Sequence, residues 1–343
     1  MSTSLPNKCF LVYDPNGGAK NLTESIYDSV ETRMRGLFEL NEVIFDKFRM
    51  GETKLNIEKN VRRGHCFYIA DSNDDPNQWF AKSALLNHTL ENSSAKEIID
   101  VFPHLIYSRQ DRKDQARVPM SARVVADVIQ LYADKVLTVD VHSYQTQMLY
   151  KRFDSLPSFR TVAEYLTEKH PEILTDNLVI ASPDAGGGTR AVGFGRRLGD
   201  KNVAIGHKLR KDGEAEKVEF AESQVSGCDI LLVDDIIDSG GTLIKAIDGL
   251  KAKNAGKIYV YGTHGFFTEG YDDLLEKVDR VFIGDTITQP YLKNPHYQSE
   301  EGLPKIVDEK LEVISFAPII ADAIYATATG GSLSDLFGGP DYI

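Results

Sequence analysis

Seven short apolar runs recur along the 343 residues: Phe67 to Ala70, Phe102 to Tyr107, Val136 to Val141, Leu178 to Ala181, Val203 to Gly206, Ile230 to Val233 and Ile258 to Tyr261. Such runs lack the in-and-out alternation of a half-exposed strand, so they fit strands covered on both faces. A sheet is covered on both faces when helices connect its strands, which predicts an α/β fold of mainly parallel sheets flanked by helices. Helical spacing is present where that requires it. Leu243, Ile244, Ile247 and Leu250 follow the Ile230 run, and Val124, Val125, Val128, Ile129 and Tyr132 precede the Val136 run. The chain is too long for one ordinary domain, and a polar stretch with Pro157 and Pro171 separates its halves. We therefore expect two domains, residues 1–157 and 158–343, each with its own open sheet.

Charge narrows the partners. Thirty-nine basic against fifty-one acidic residues give a net charge of −12, which argues against a broad basic face for nucleic acid or an anionic membrane. An anionic substrate then needs local cations or a metal. Cys9, Cys66 and Cys228 follow no zinc-ligand or disulfide pattern and read as buried reduced thiols. The N-terminal residues lack a charged segment followed by an apolar run, so a cytoplasmic location is expected. A Walker-type loop is excluded: the Gly-Lys pair, Gly256 and Lys257, is followed by Ile258, and Lys251 stands at the required glycine.

The most informative segment is ILLVDDIIDSGGTLIKA, Ile230 to Ala246. It reads as a buried strand, two carboxylates at the strand's end, a loop of small residues and a helix. Asp238, Ser239, Gly240, Gly241 and Thr242 can wrap a phosphate with backbone N–H groups and a hydroxyl at a helix N-terminus. Asp234 and Asp235 would repel that phosphate unless they accept hydrogen bonds from sugar hydroxyls or steer a bound Mg²⁺. Phosphate beside a diol spells a ribose phosphate. An ordinary acidic turn explains one Asp and one Gly, but not the whole string.

Other segments lie near strand ends, where α/β ligands dock. In LVIASPDAGGGTRA, Asp184 precedes Gly186, Gly187 and Gly188, a loop that by itself does no more than turn the chain. His142 follows the Val136 run, and a lone histidine is more often structural than a metal ligand. YSRQDRKDQAR concentrates Arg109, Arg112, Lys113 and Arg117, either as a solvated face or as a polyphosphate site. In VAIGHKLRKDGEAEKVEF, Lys208 and Arg210 are two apart in extended chain and share a side. That charged hairpin is either an inert flap or a lid carrying cations to a phosphoryl group.

Together the pieces FRMGETKLNIEKNVRRG, SRQDRK, VDVHS, SPDAGGGTRA, HKLRK, VDDIIDSGGT, THGFF and GGSLSDLF resemble, in order, the ribose-phosphate diphosphokinases, also called phosphoribosyl pyrophosphate synthetases. The resemblance runs from about Phe48 to Phe337. The ribose-phosphate loop is shared with type I phosphoribosyltransferases, whereas SRQDRK, SPDAGG and HKLRK together are specific to the synthetases.

The resemblance implies two phosphoribosyltransferase-like domains and a Mg²⁺-dependent transfer of the diphosphoryl group of ATP to O1 of ribose 5-phosphate. The products would be AMP and 5-phosphoribosyl 1-diphosphate, feeding nucleotide biosynthesis. Carried over by position, Arg109, Gln110 and Asp114 bind ATP, while Phe48 and Glu52 contact adenine from a neighbouring subunit. His142 and Asp184 position Mg²⁺–ATP. Asp238, Ser239, Gly240, Gly241 and Thr242 cradle the 5-phosphate, with Asp234 and Asp235 near the ribose, and Lys208 and Arg210 are the catalytic loop cations. A site shared in this way requires a homo-oligomer with the dimer as minimum unit, and the family extends to hexamers. Two positions depart from the family pattern. Met50 stands where Asp or Asn usually lies beside adenine, and Tyr144 stands where the phosphate-activated class commonly has a small serine. The competing readings are a non-catalytic regulatory subunit that keeps the fold, and a phosphoribosyltransferase.

Overall fold

The computed structural model describes residues 8–113, 115–211, 214–288 and 309–337, with side chains omitted at 210, 211 and 214–216. Two open sheets account for the apolar runs. The first contains β1 (Cys9–Tyr13), β2 (Phe38–Lys47), β3 (Thr53–Ile57), β4 (His65–Ile69), β5 (Glu97–Phe102), β6 (Lys135–Val139) and β7 (Phe153–Leu156), in the order β3-β2-β1-β4-β5-β6-β7. All neighbours are parallel except β2 and β3, which form an antiparallel hairpin at the edge. The second half continues with β8 (Leu178–Ser182), β9 (Val203–Ile205), β10 (His207–Lys211), β11 (Glu214–Glu219), β12 (Asp229–Ile237), β13 (Ile258–Gly265), β14 (Arg280–Gly284) and β15 (Leu311–Ile314). Six of these form a wholly parallel sheet in the order β15-β14-β13-β12-β8-β9, while β10 and β11 pair antiparallel as a separate ribbon.

The central parallel strands are buried, as in CFLVY of β1 and LVIAS of β8, whereas the outer β2, β7 and β9 are only partly so. Helices Lys20–Arg33, Pro76–Asn92 and Ser121–Ile129 connect strands of the first sheet, and Gly188–Arg197 and Gly241–Lys251 those of the second. The largest core cluster runs continuously from Leu11 and Phe67 of the first sheet through Phe159 and Phe194 to Tyr261 and Phe282 of the second. The late helix Ala317–Thr329 turns back onto the first helix, where Arg33 pairs with Asp322 and lies 5.9 Å from the centre of the Tyr325 ring.

Several boundaries differ from the sequence reading. The run Phe102–Tyr107 is a strand only at its first residue. β5 spans Glu97–Phe102 and ends before Pro103, which has no N–H for a ladder. The Val136 strand stops at Val139 because Asp140 adopts a φ of +39°, incompatible with extended chain. The Ile230 strand reaches Ile237, so Asp234 and Asp235 lie within it rather than beyond its end, Asp234 opposite Gly262 of β13. Cys9 and Cys66 are buried thiols, the latter pushed up to about 12 by burial, but Cys228 is only half-buried. No described helix is long and apolar enough to cross a membrane.

Candidate active site

Both sheets present their strand ends to one cleft. A cavity of about 980 Å³ is lined from the first half by Arg109, Gln110 and His142, and from the second by Asp184, Lys208, Asp234, Asp235 and the whole of Asp238 to Thr242. Residues separated by more than a hundred positions meet here because strand ends of the two sheets face one another across the cleft.

The small-residue loop is built to leave its donors free. Gly240 holds a φ of +78°, a left-handed conformation that costs any side-chain-bearing residue, and the helix begins at Gly241. The first N–H groups of a helix have no partner of their own, so this turn offers a ring of donors to an anion. Asp238 closes the loop's near side. Its carboxylate accepts from Thr268 Oγ1 at 2.7 Å and pairs with Arg109 Nη1 at 2.7 Å, across the two halves. Burial works against ionisation of Asp238, but these two partners outweigh it and hold the group below its ordinary range.

The second loop has the same logic with the opposite tenant. Asp184 Oδ1 accepts from the N–H groups of Gly186 at 2.8 Å and Gly187 at 3.2 Å, while Oδ2 pairs with the ammonium of Lys208. Burial favours the neutral acid, yet Lys208 and the two amides hold Asp184 below the usual carboxylate range. Gly187 has no room for a side chain, because a Cβ there would run into Ser182 Oγ.

Between the loops lies a chain of buried charge. Burial and the adjacent carboxylate of Asp235 push the Asp234 acid upward. Asp235 goes the other way, because the His142 hydrogen bond and the Arg190 guanidinium override the cost of burial. His142 Nδ1 lies 2.7 Å from Asp235 Oδ2, and this bond raises the imidazole's affinity for a proton. With Nδ1 committed, Nε2 is the nitrogen left for a ligand.

Similar proteins identify the family. A family model described as the N-terminal domain of ribose phosphate pyrophosphokinase matches residues 17–132, and one described as a phosphoribosyl transferase domain matches residues 152–282. A ribose-phosphate pyrophosphokinase of Aquifex aeolicus is 32% identical over 304 residues, covering 87% of this chain and 91% of its own length. One from Mesorhizobium japonicum is 34% identical over 305 residues, covering 87% and 92%. The chain belongs to the ribose-phosphate pyrophosphokinase family. The crystal structure of phosphoribosylpyrophosphate synthetase from Mycobacterium smegmatis superposes with a TM-score of 0.78 at 25% identity, covering 94% of this chain and all of that one. The chain is thus an enzyme of the pyrophosphokinase family, with the expected α/β fold.

Within this pyrophosphokinase, Phe48 and Glu52 stand apart from the cleft. They flank the turn of the β2–β3 hairpin, joined by Phe48 N–H donating to the Glu52 carbonyl at 2.8 Å, and neither lines the cavity of its own chain. Phe48 is 57% exposed and Met50 92% exposed. The charged hairpin is present as the β10–β11 ribbon: β10 carries Lys208 and Arg210, and the pairing skips one residue on β11. The side chain of Arg210, and Asp114 altogether, lie outside the described residues. Sequence reading missed Arg190, Asp140 and Thr268 as members of the site. Arg190 and Asp140 had a signal in hindsight, an Arg just after the triple glycine and an Asp two residues before His142. Thr268 had none, because only folding brings it to Asp238.

Proposed function

We propose that the enzyme transfers the diphosphoryl group of ATP to O1 of ribose 5-phosphate, releasing AMP and 5-phosphoribosyl 1-diphosphate for nucleotide synthesis. The reading is carried by one cavity that holds a phosphate loop, a carboxylate pair beside it and cations from both halves. The loop Asp238 to Thr242 takes the 5-phosphate on its backbone amides, and Asp234 and Asp235 face the sugar hydroxyls. Arg109 and Gln110 take the nucleotide. Gln110 is steadied by the Ser121 hydroxyl at 2.7 Å.

The donor set fits a magnesium ion shared with substrate. Among the described residues no cluster of three His, Cys, Asp or Glu side chains can hold a metal alone. His142 Nε2 and Asp184 offer two positions, leaving the rest to phosphate oxygens and water, the usual arrangement for Mg²⁺. When bound there, Mg²⁺ neutralises charge on the transferred group. Diphosphoryl transfer asks the protein mainly for alignment and charge compensation. Lys208, on a two-stranded ribbon above the cleft, supplies a cation by exchanging Asp184 for the phosphoryl oxygens, and Arg210 follows on the same strand.

The adenine site is completed by Phe48 and Glu52 of a neighbouring copy, which makes a dimer the smallest active unit and accounts for the exposure of Phe48 at the hairpin tip. The cytoplasm, where nucleotides are made, is the compartment this reading assigns. Phosphorus NMR of the protein with ATP, Mg²⁺ and ribose 5-phosphate tests the reaction. Equal amounts of AMP and 5-phosphoribosyl 1-diphosphate are expected; ADP with a ribose bisphosphate would refute it.

A further inference from the structure

Arg190 lies on the helix Gly188–Arg197, 6% exposed, among buried carboxylates from both halves of the molecule. Its Nη1 is 3.4 Å from Asp235 Oδ1, and its Nε is 3.7 Å from Asp140 Oδ2. Asp140 follows β6 of the first sheet, while Arg190 and Asp235 belong to the second half. Asp140 Oδ2 also accepts from Thr263 Oγ1 of β13 at 2.6 Å, and its Oδ1 accepts from the Ser158 N–H at 3.0 Å. The other oxygen of Asp235 holds His142. One guanidinium therefore faces both ends of the turn Asp140–Val141–His142: as an ion pair without a hydrogen bond at Asp140, and through its hydrogen bond to Asp235 at His142.

We propose that Arg190 is the positioning residue of this site, fixing the Asp140–His142 turn of one half against Asp235 of the other so that His142 Nε2 faces the nucleotide. The proposal rests on the reading above for what His142 meets. Three features support a role beyond charge balance. The turn is strained, with Asp140 at a φ of +39°, so it needs restraint from its surroundings. The restraint spans the two halves, so losing it disturbs the register of groups that must meet substrate together. A planar fork reaches two carboxylates at once, whereas a lysine ammonium is a point charge that can serve one. Arg190 lines the cavity but, like Asp140, was not needed to explain substrate recognition, and both are among the most buried charges of the described residues.

The test uses Arg190→Lys and Arg190→Gln in the full chain. For both, kcat should fall thirtyfold to a hundredfold while KM for ATP and for ribose 5-phosphate changes less than threefold. In a His142→Ala background the same substitutions should cost less than threefold, because a residue acting through His142 has nothing further to lose. Independently of activity, hydrogen exchange on the metal-free protein should quicken at least tenfold at Val141 to Ser143 and stay unchanged in β12 and β13. Full turnover in either variant overturns the proposal. So do multiplicative losses in the double variants, or unchanged exchange in the turn. Failure of the wild-type protein to make product would fall on the proposed reaction instead, and the exchange experiment would still decide the positioning role.

Discussion

Lys208→Ala isolates the charge that, in the proposed reaction, the ribbon brings to the phosphoryl group. In the structure its ammonium pairs with Asp184 at the cavity wall, its side chain about one-fifth exposed. A full charge about 4 Å from a developing phosphoryl charge, at an effective dielectric of about 20, is worth about 4 kcal/mol. At about 1.4 kcal/mol per decade, removing it should lower kcat by roughly a thousandfold. Ground-state affinity should change much less, because an interaction realised only as charge develops raises kcat rather than binding. The assay is quenched-flow single turnover, following AMP from labelled ATP, with KM values from steady state and a melting curve to show intact folding. The wild-type pairing also lowers the proton affinity of Asp184, so Asp184 in the variant should move back toward the ordinary carboxylate range. A kcat within tenfold of wild type would remove Lys208 from the chemistry and leave the ribbon as an inert flap.

Other perturbations probe separate links. Gly240→Ala forces a side chain into the left-handed region, so it should destabilise the loop by about 1–2 kcal/mol and raise the KM for ribose 5-phosphate about tenfold, with KM for ATP nearly unchanged. Asp100 is fully buried with one partner, the Asn87 amide at 2.7 Å, and burial pushes its acid up to about 8. Its folded affinity for protons exceeds the unfolded one, so stability is lost as pH rises from the ordinary carboxylate value toward 8 and is flat above. The melting temperature of Asp100→Asn relative to wild type should therefore climb between pH 5 and pH 8; a constant difference would show that the group is not buried as an acid. Mixing Phe48→Ala with Lys208→Ala subunits should restore activity beyond the sum of the two, since each lesion lies in a different half of the proposed shared site. Strict additivity would return Phe48 to its own chain.

How much of this was legible follows from how far each signal reaches along the chain. The strand–loop–helix unit was readable because its parts are contiguous from Asp229 to Lys251, and local rules decide all of them. Strands β4, β6, β8, β9, β12 and β13 were readable for the same reason, as uninterrupted apolar runs. Where reading failed, a single residue overrode the run: Pro103 ended β5 early, and the positive φ of Asp140 cut β6 short. The run CFLVY was overlooked because no motif stands beside it, yet it forms β1 near the centre of the first sheet. The pairings of Arg190 with Asp140 and Asp235, and of Arg109 with Asp238, span from 45 to 129 positions, and no local pattern encodes them. The return of the last helix onto the first is equally non-local; its apolar face fits any core, and only Arg33 with Asp322 specifies the partner.

The central claim is that O1 of ribose 5-phosphate attacks the β-phosphorus of ATP within this cleft. It is tested most directly by one turnover of freshly prepared [1-¹⁸O]ribose 5-phosphate with ATP, read by phosphorus NMR. Attack at phosphorus keeps the label in the bridge, so the phosphorus bonded to the sugar should show the isotope shift and AMP should carry none. An unshifted sugar diphosphate would mean that the C1–O bond had broken, and a labelled terminal monophosphate with ADP would mean that the γ-group had moved; either contradicts the account.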